Sequence, residues 1–233
     1  MRYPNDENHW QLFGSPVYIS KGEYLLNKKE IDFLDKIKNK DSSLGHTNNI
    51  FSKNSYVLEL KEFSNLKKFV DKELKYYVHN IMQINEQKVK PYVTQSWWNF
   101  YDKTAYHHEH NHPNSVVSGV YYVQGTQCIV FQKPQSNGFA YDLPTKKWNE
   151  VNSAIWRFEP PLGKIILFPS YLWHQVELNQ TDKTRISMAF NSYIEGDIGE
   201  DIHYTRLKLR GKNERTKTNT TNRSKSVNSN CTF

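Results

Sequence analysis

The most constraining feature of this sequence is a succession of short, β-branched and aromatic segments that begins near Lys90 and continues to about Tyr193. Pro, Gly or Asn residues separate these segments, as is typical of short strands joined by turns. We predict strands at Val93–Tyr101, Val116–Val123, Cys128–Gln132, Ala154–Phe158, Lys164–Phe168, His174–Leu178 and Arg185–Tyr193. Many short strands at modest spacing indicate a sandwich, a barrel or a jelly roll.

The N-terminal third is predicted to mix two helices with extended segments. Residues 16–21 and 51–60 have strand-like composition, whereas Lys28 to Lys38 carries apolar residues at helical spacing. Ser64 is a candidate cap for a second helix that runs to about Met82 with a broad apolar face. The predicted fold class is therefore mainly β with N-terminal helices, an α+β arrangement.

Charge divides the chain into two parts. The formal net charge of the whole sequence is +7, and eight basic residues against one acid lie between Arg206 and the C-terminus. The excess positive charge thus belongs to a polar tail that has too few apolar residues to form a core. We predict a folded domain over residues 1–205 and a basic, disordered tail over 206–233. The tail permits weak contact with nucleic acid, although most such charge blocks are merely solvated.

The composition excludes several classes of protein. Aromatic residues make up 14% of the chain, enough large rings for a core. No long apolar run predicts a transmembrane helix, and the N-terminus does not resemble a signal peptide. The two cysteines, Cys128 and Cys231, exclude a disulfide scaffold and a multi-cysteine zinc site. A reducing, cytoplasmic setting is the simpler expectation.

Four of the nine histidines lie in the segment YHHEHNHP at residues 106–113, and a fifth, His174, lies on a later predicted strand. Alternate residues of an extended segment share a face, so His110 and His112 are expected to point the same way. His107 and Glu109 would point the other way unless a bulge intervenes. A close pair of histidines and a distant third can form a three-ligand cap that leaves coordination positions open. The alternatives are polar surface decoration for the cluster and ordinary strand packing for His174.

Arg185 begins a strand whose two faces differ. In RISMAFN (185–191) the odd positions are Arg, Ser, Ala and Asn, whereas the even positions are apolar. Arg185 and Ser187 are therefore expected to face a cavity, where a buried guanidinium needs an anionic partner such as a carboxylate. The alternative is a surface ion pair between Arg185 and Glu177 or Asp182.

The sequence contains, in this order, the blocks HNHPNSVVSGVYYV (110–123), IVFQKP (129–134), GKIILFPSYLWHQV (163–176) and RISMAFN (185–191). These four blocks, with a weaker match at LFGSPVYI (12–19), resemble the Fe(II)- and 2-oxoglutarate-dependent oxygenase superfamily, and especially a group of such oxygenases common in phages and bacteria. The resemblance extends over most of residues 10–193 and does not reach the basic tail. It implies a double-stranded β-helix (jelly roll) core.

The resemblance also implies a metal site and a co-substrate site. The metal would be Fe(II), with His110 as the first ligand and His174 as the distal one. Arg185 would hold the far carboxylate of 2-oxoglutarate, with Ser187 completing an R-x-S pattern. Asn99 and Tyr101 stand where some relatives place polar contacts to the co-substrate.

His112 departs from the family pattern, which usually has Asp or Glu two residues after the first histidine. Either His112 completes a three-histidine site, or another acid such as Glu109 supplies the carboxylate through a kinked backbone. Strand geometry favours His112, because it lies on the same face as His110.

The implied activity is that of a dioxygenase that uses O2 and 2-oxoglutarate to hydroxylate an organic substrate, releasing succinate and CO2. The first alternative is a cupin-type metalloenzyme without 2-oxoglutarate, which a three-histidine cap suits. The second is a binding module that contacts nucleic acid through its tail. The long, Pro-rich loop at residues 133–161 is expected to influence the choice of substrate, which the sequence does not identify.

Overall fold

The computed structural model describes residues 14–45, 47–133 and 144–209. Within them, two helices and twelve strands follow in the order β1–α1–β2–β3–α2–β4 to β12. The helices are α1 (Lys28–Lys40) and α2 (Ser64–Tyr76), and α2 continues into a π-helical turn at Tyr77–Ile81. The strands are β1 (Tyr18–Ile19), β2 (Ser42–Leu44), β3 (Ile50–Ser52), β4 (Val89–Tyr101), β5 (His107–His110), β6 (Val117–Gln124), β7 (Ile129–Gln132), β8 (Ile155–Phe158), β9 (Ile165–Pro169), β10 (His174–Val176), β11 (Arg185–Ile198) and β12 (Leu207–Leu209).

The strands form two sheets that face each other. The major sheet has the order β1-β9-β6-β11-β4-β3-β2, and β12 pairs with the far end of β11. The minor sheet has the order β5-β10-β7-β8. All of these strand pairs are antiparallel. The predicted fold class, mainly β with N-terminal helices and a jelly-roll core, is confirmed.

The two faces of the major sheet bury different layers. One face packs against the apolar sides of α1 and α2, with Trp98 and Phe190 fully buried between sheet and helices. The other face contributes Tyr122, Ile166 and Phe168 to a second cluster, which includes Ile129 and Phe131 of the minor sheet. Because α1 and α2 cover the outer face, the inner face is left to form a cavity with the minor sheet.

Helix α1 begins where the sequence has a capping box. The side chain of Asn27 accepts hydrogen bonds from the backbone of Lys29 and Glu30, and the Glu30 carboxylate accepts one from the backbone of Asn27. The predicted cap of the second helix is wrong, because α2 begins at Ser64 itself and Phe63 occupies the cap position without a side-chain hydrogen bond.

The extended segment predicted at residues 51–60 is only partly correct. Strand β3 ends at Ser52, and the chain then turns at Asn54, whose side chain accepts a hydrogen bond from the backbone of Tyr56. Residues Val57–Glu59 form a 3₁₀ turn that buries Val57 and Leu58 beneath α2. Both residues are apolar and buried, as strand residues often are, and the segment therefore resembled a strand although its backbone is helical.

Other predicted elements differ mainly in length. The segment at 16–21 pairs with β9 only at Tyr18–Ile19, whereas β4 and β11 extend beyond their predicted outer ends. Strand β8 confirms the short strand expected inside the long loop, of which residues 134–143 lie outside the described residues. Strand β12 comes from residues that we assigned to the tail. Residues 210–233 lie outside the described residues, so the domain boundary stays a prediction.

Among the residues that the structure describes, no helix combines the length and the apolar character needed to cross a membrane.

The packing between β6, β9 and β11 predicts a stability effect at Gly119. A Cβ atom added there would meet the ring of Phe190, and it would lie 2.7 Å from Leu167 Cδ2. Overpacking a rigid core costs about 1–3 kcal/mol. We expect Gly119→Ala to lower the free energy of unfolding by that amount, measured by guanidinium chloride denaturation. The matched control is Gly22→Ala, whose new Cβ would find its nearest neighbours at 3.5 Å. Equal stability of the two variants would contradict this packing.

Candidate metal centre

Two neighbouring strands of the minor sheet bring His110 and His174 together. Strands β5 and β10 are antiparallel, and His174 lies directly opposite His110 in their register. The two imidazole rings have centroids 4.3 Å apart. Residues opposite each other in an antiparallel pair share a face, so both rings point towards the major sheet.

His112 lies just beyond the end of β5 and is held by its backbone. Its amide donates a hydrogen bond of 2.9 Å to the carbonyl oxygen of Ser170, in the connection between β9 and β10. The ring centroid of His112 is 5.0 Å from that of His110 and 5.1 Å from that of His174. The segment that precedes His174 thus also positions His112.

These three histidines form a group that could hold one metal ion. One nitrogen from each ring lies within 4.8 Å of the others. Imidazole nitrogens bind metals such as zinc at about 2.1 Å, so atoms this close need only small rotations to share an ion. Within the described ranges, no other group of three or more His, Cys, Asp or Glu side chains has this arrangement.

Glu109, the alternative third ligand, is exposed and lies outside this group. A bulge between β5 and β10 does occur. His110 pairs with His174 and His107 pairs with Val176, so β5 has one more residue between the two pairs than β10. The bulge turns His107 inward, so our default expectation for that residue, that it points away from His110, is wrong. The His107 and His110 rings stack with centroids 4.2 Å apart.

The hydrogen bonds of His110 and His174 leave Nε2 of each ring free to bind a metal. His110 Nδ1 lies 2.8 Å from the carbonyl oxygen of His108, and His174 Nδ1 lies 2.9 Å from that of Leu172. Since a carbonyl oxygen only accepts, each Nδ1 must carry a proton and donate it. Each neutral ring then presents the lone pair of Nε2 to the cavity, the tautomer that metal-binding histidines use.

The environment keeps these imidazoles neutral. Burial, together with the neighbouring rings, lowers the pKa of His174 to about 3 and that of His112 to about 4. Burial also lowers the pKa of His110. A proton does not compete for the lone pairs near neutral pH, and neutral imidazole is the form that binds a metal.

Arg185 lies deep in the same cavity, and the surface ion pair considered for it is absent. The residue is only 1% exposed. Glu177 pairs instead with Arg157, and Asp182 pairs with Lys103. The strand alternation predicted for RISMAFN holds: Arg185, Ser187 and Ala189 line the cavity, whereas Met188 and Phe190 join the core beneath the helices.

The guanidinium of Arg185 has no anionic partner in the described part of the chain. One of its terminal nitrogens donates to Ser187 Oγ at 3.0 Å, while its Nε is buried without a hydrogen-bond partner. The carbon of the guanidinium lies 5.0 Å from the ring centroid of Tyr101 and 5.2 Å from that of Tyr122. A buried cation whose partners are all neutral is costly unless an anion joins it, so this pocket is suited to a carboxylate.

Asn99 and Tyr101 lie beside Arg185, on the neighbouring strand β4. Both line the cavity beside Arg185, because Tyr101 pairs with Arg185 and Asn99 with Ser187 across β4 and β11. The Tyr101 hydroxyl lies 3.1 Å from His107 Nδ1. Of the two tryptophans on β4, Trp97 also lines the cavity, whereas Trp98 is buried in the core against the helices.

His107 and Tyr122 were not among the predicted metal and co-substrate ligands. His107 needs the bulge to reach the cavity. Tyr122 pairs with Ser187 across β6 and β11, and its buried hydroxyl has no hydrogen-bond partner among the described residues. Burial raises the pKa of Tyr122 to about 12, so this hydroxyl keeps its proton and can donate it. The register between β6 and β11 would have revealed Tyr122, but a single sequence does not contain that register.

A larger open groove lies elsewhere, between α2 and the far ends of β4 and β11. Its charged side chains largely satisfy one another, as in the pairs Lys67–Asp71 and Arg206–Asp201. Among the described residues, this groove has no group of side chains arranged to bind a metal, as the three histidines of the other cavity are.

Residues 95–191 match the model of a family described as "Putative 2OG-Fe(II) oxygenase". The matched segment runs from β4 to β11. It contains the three histidines, Arg185 and Ser187. The match confirms the resemblance stated from the sequence, which implies an Fe(II)/2-oxoglutarate-dependent dioxygenase with iron(II) and 2-oxoglutarate as its cofactors. No curated protein matches the sequence.

Solved structures share the fold at low sequence identity. An oxidoreductase of the 2OG-Fe(II) oxygenase family from Burkholderia pseudomallei has a TM-score of 0.52 at 11% identity, covering 76% of this chain and 83% of that one. The non-heme α-ketoglutarate-dependent epimerase SnoN from nogalamycin biosynthesis has a TM-score of 0.52 at 8% identity, covering 78% and 81%. HygX from Streptomyces hygroscopicus, with nickel and 2-oxoglutarate bound, has a TM-score of 0.50 at 10% identity, covering 76% and 82%.

The cluster geometry predicts the effect of removing one imidazole. Altering residues that merely support a metal ligand typically costs 10–100-fold in affinity, so we expect His174→Ala to weaken Fe(II) binding by about a hundredfold or more. Anaerobic equilibrium dialysis measures this change. His108→Ala is the matched control, because its exposed ring lies outside the group while its carbonyl still accepts from His110. Equal weakening in both variants would argue against the cluster as the metal site.

Proposed function

We propose that this protein hydroxylates an organic substrate in a reaction that consumes O2 and 2-oxoglutarate and releases succinate and CO2. The observation that carries the proposal is the convergence of three neutral imidazoles with a buried, unpaired guanidinium in one cavity. The imidazoles suit a divalent metal, and the guanidinium suits a carboxylate.

In this proposal the metal ligands are His110, His112 and His174. A three-residue cap leaves coordination positions open for other ligands. When bound, iron(II) and 2-oxoglutarate together supply the oxidative chemistry that inserts oxygen into a C–H bond. The protein orients the ligands by the backbone contacts of His108, Leu172 and Ser170 described above.

The co-substrate would extend from the metal towards Arg185. Two guanidinium nitrogens can bind one carboxylate in a planar, bidentate pair. Ser187 holds the guanidinium, while Asn99, Tyr101 and Tyr122 are the nearby polar side chains. The orphaned Nε of Arg185 and the unpaired Tyr122 hydroxyl are the groups that a bound carboxylate would satisfy.

Aromatic packing keeps one side of the metal group dry. The ring of Phe168 meets that of His174 edge-on at 4.8 Å, and Phe131 lies 5.9 Å away. Excluding water strengthens electrostatic interactions within a site and limits side reactions.

A cupin-type metalloenzyme without 2-oxoglutarate remains the second candidate, because its three-histidine cap would look the same. It would not require Arg185. The binding-module alternative treated the β core as a scaffold without a site, and the histidine cavity does not fit that description. Weak nucleic-acid contact through the tail at 206–233 stays a proposal. A cytoplasmic location also stays a proposal, based on the two cysteines of the sequence.

Arg185→Ala tests the assignment of the co-substrate site. Removing one partner of a buried charge pair costs about 3–5 kcal/mol, so we expect 2-oxoglutarate affinity to fall at least about a hundredfold. An anaerobic titration of the Fe(II) protein with 2-oxoglutarate, followed by its metal-to-ligand charge-transfer band, measures this affinity. Arg157→Ala is the control, because Arg157 is exposed and pairs with Glu177 outside the cavity. Wild-type affinity in Arg185→Ala would contradict Arg185 as the partner of the co-substrate carboxylate. Metal-dependent activity that is unchanged in this variant and needs no 2-oxoglutarate would favour the cupin-type alternative.

Substituting His112 tests the third ligand. We expect His112→Ala to lose succinate formation, whereas His112→Asp should retain measurable turnover, because a carboxylate also binds iron. Succinate is quantified by chromatography after incubation with Fe(II), 2-oxoglutarate and O2. Glu109→Ala is the control for the alternative carboxylate. Loss of turnover in Glu109→Ala together with full turnover in His112→Ala would assign the ligand to Glu109.

A further inference from the structure

The histidine cavity carries no negative charge of its own among the described residues. Its lining contains imidazoles, one guanidinium, an amide, hydroxyls and apolar groups, but no Asp or Glu. Glu109 is exposed and lies outside the metal group. The electrostatics of the loaded site therefore depend on what binds there.

The charges of the proposed ligands do not balance. Iron(II) brings two positive charges, Arg185 brings one, and 2-oxoglutarate brings two negative charges. One positive charge is left over. In a cap of two histidines and one carboxylate the same complex would be neutral, so the excess arises from the imidazole of His112 at the third position.

An uncompensated charge in a buried cavity is unfavourable. The polar groups of the described lining, which include His107, Asn99 and Ser118, are uncharged and do not compensate it. The uncompensated charge thus favours a further negative group beside the metal.

We propose that the site, once loaded with iron(II) and 2-oxoglutarate, binds one more anion, so that the substrate is an organic anion such as a carboxylate. This inference rests on the proposed function, since the charge count assumes that iron(II) and 2-oxoglutarate are bound together. It narrows the substrate by chemical class. It also assigns a role to His112, which selects an anionic substrate by leaving a positive charge for it to neutralise.

Acetate and acetamide are the probes, because they have nearly the same shape and differ in charge. The anaerobic Fe(II)–2-oxoglutarate complex is titrated with each at saturating 2-oxoglutarate and constant ionic strength. We expect acetate to shift the charge-transfer band saturably without reducing its intensity, and acetamide to leave it unchanged at the same concentrations. Equal responses to the two probes would overturn the proposal, as would an absent acetate response. Loss of the band in competition with 2-oxoglutarate would also overturn it, because acetate would then occupy the co-substrate site.

Two variants separate charge from side-chain shape. His112→Asp adds a negative charge that cancels the excess. His112→Asn replaces the imidazole with a carboxamide of similar size to Asp, so the residue stays neutral. One unit of charge a few ångströms away changes binding by about tenfold or more in a partly buried site, so we expect acetate affinity to fall by that factor in His112→Asp and by less in His112→Asn. An acetate affinity in His112→Asp equal to wild type would mean that a bound hydroxide or another group neutralises the site, and would overturn the proposal.

Failure of the proposed function has a different outcome. If wild-type protein forms no charge-transfer band with 2-oxoglutarate, the co-substrate assignment fails before any acetate is added. If either variant fails to bind iron, the comparison of acetate with acetamide on wild-type protein still decides the question.

Discussion

The pairing of β5 with β10 is the interaction on which the rest of the site depends. Both strands are short, yet their register places His110 opposite His174, and a bulge between them brings His107 into the same cavity. The carbonyl oxygens of His108 and Leu172 then set the ring tautomers. A slip of one residue in this pair would turn the imidazoles to the opposite face of the sheet. The chemistry of the site is thus held by backbone geometry.

The second constraint is the buried charge of Arg185. Its strand, β11, lies at the centre of the major sheet between β4 and β6, so neighbours on both sides supply the walls of its pocket. Tyr101 and Tyr122 face the guanidinium from those two strands, and no carboxylate reaches it within the described residues. The energetic penalty of burying this charge is relieved when a bound ligand supplies a negative charge, so the penalty favours anionic ligands. A site built from neutral imidazoles and an unpaired guanidinium selects its ligands largely by charge.

Local pattern was informative where burial alternates. The odd and even positions of RISMAFN separated cavity from core correctly, and the apolar spacing from Lys28 onward located α1. Pattern failed where burial and backbone conformation are decoupled. Val57 and Leu58 are buried as strand residues often are, but the turn at Asn54 leads them into a 3₁₀ segment. The bulge at His107 was likewise only an option until the partner strand was known.

The sequence by itself determined the chemical inventory: a histidine pair, a distant histidine, an arginine on a two-faced strand and enough aromatic rings for a jelly-roll core. These follow from residue type and from period-two alternation, which are local properties. Only the tertiary structure decided that Glu109 stays outside the metal group, that Tyr122 faces Arg185, and that Arg185 lacks an acidic partner. Those facts depend on strand register and on the contact of two sheets, which join residues far apart in the chain.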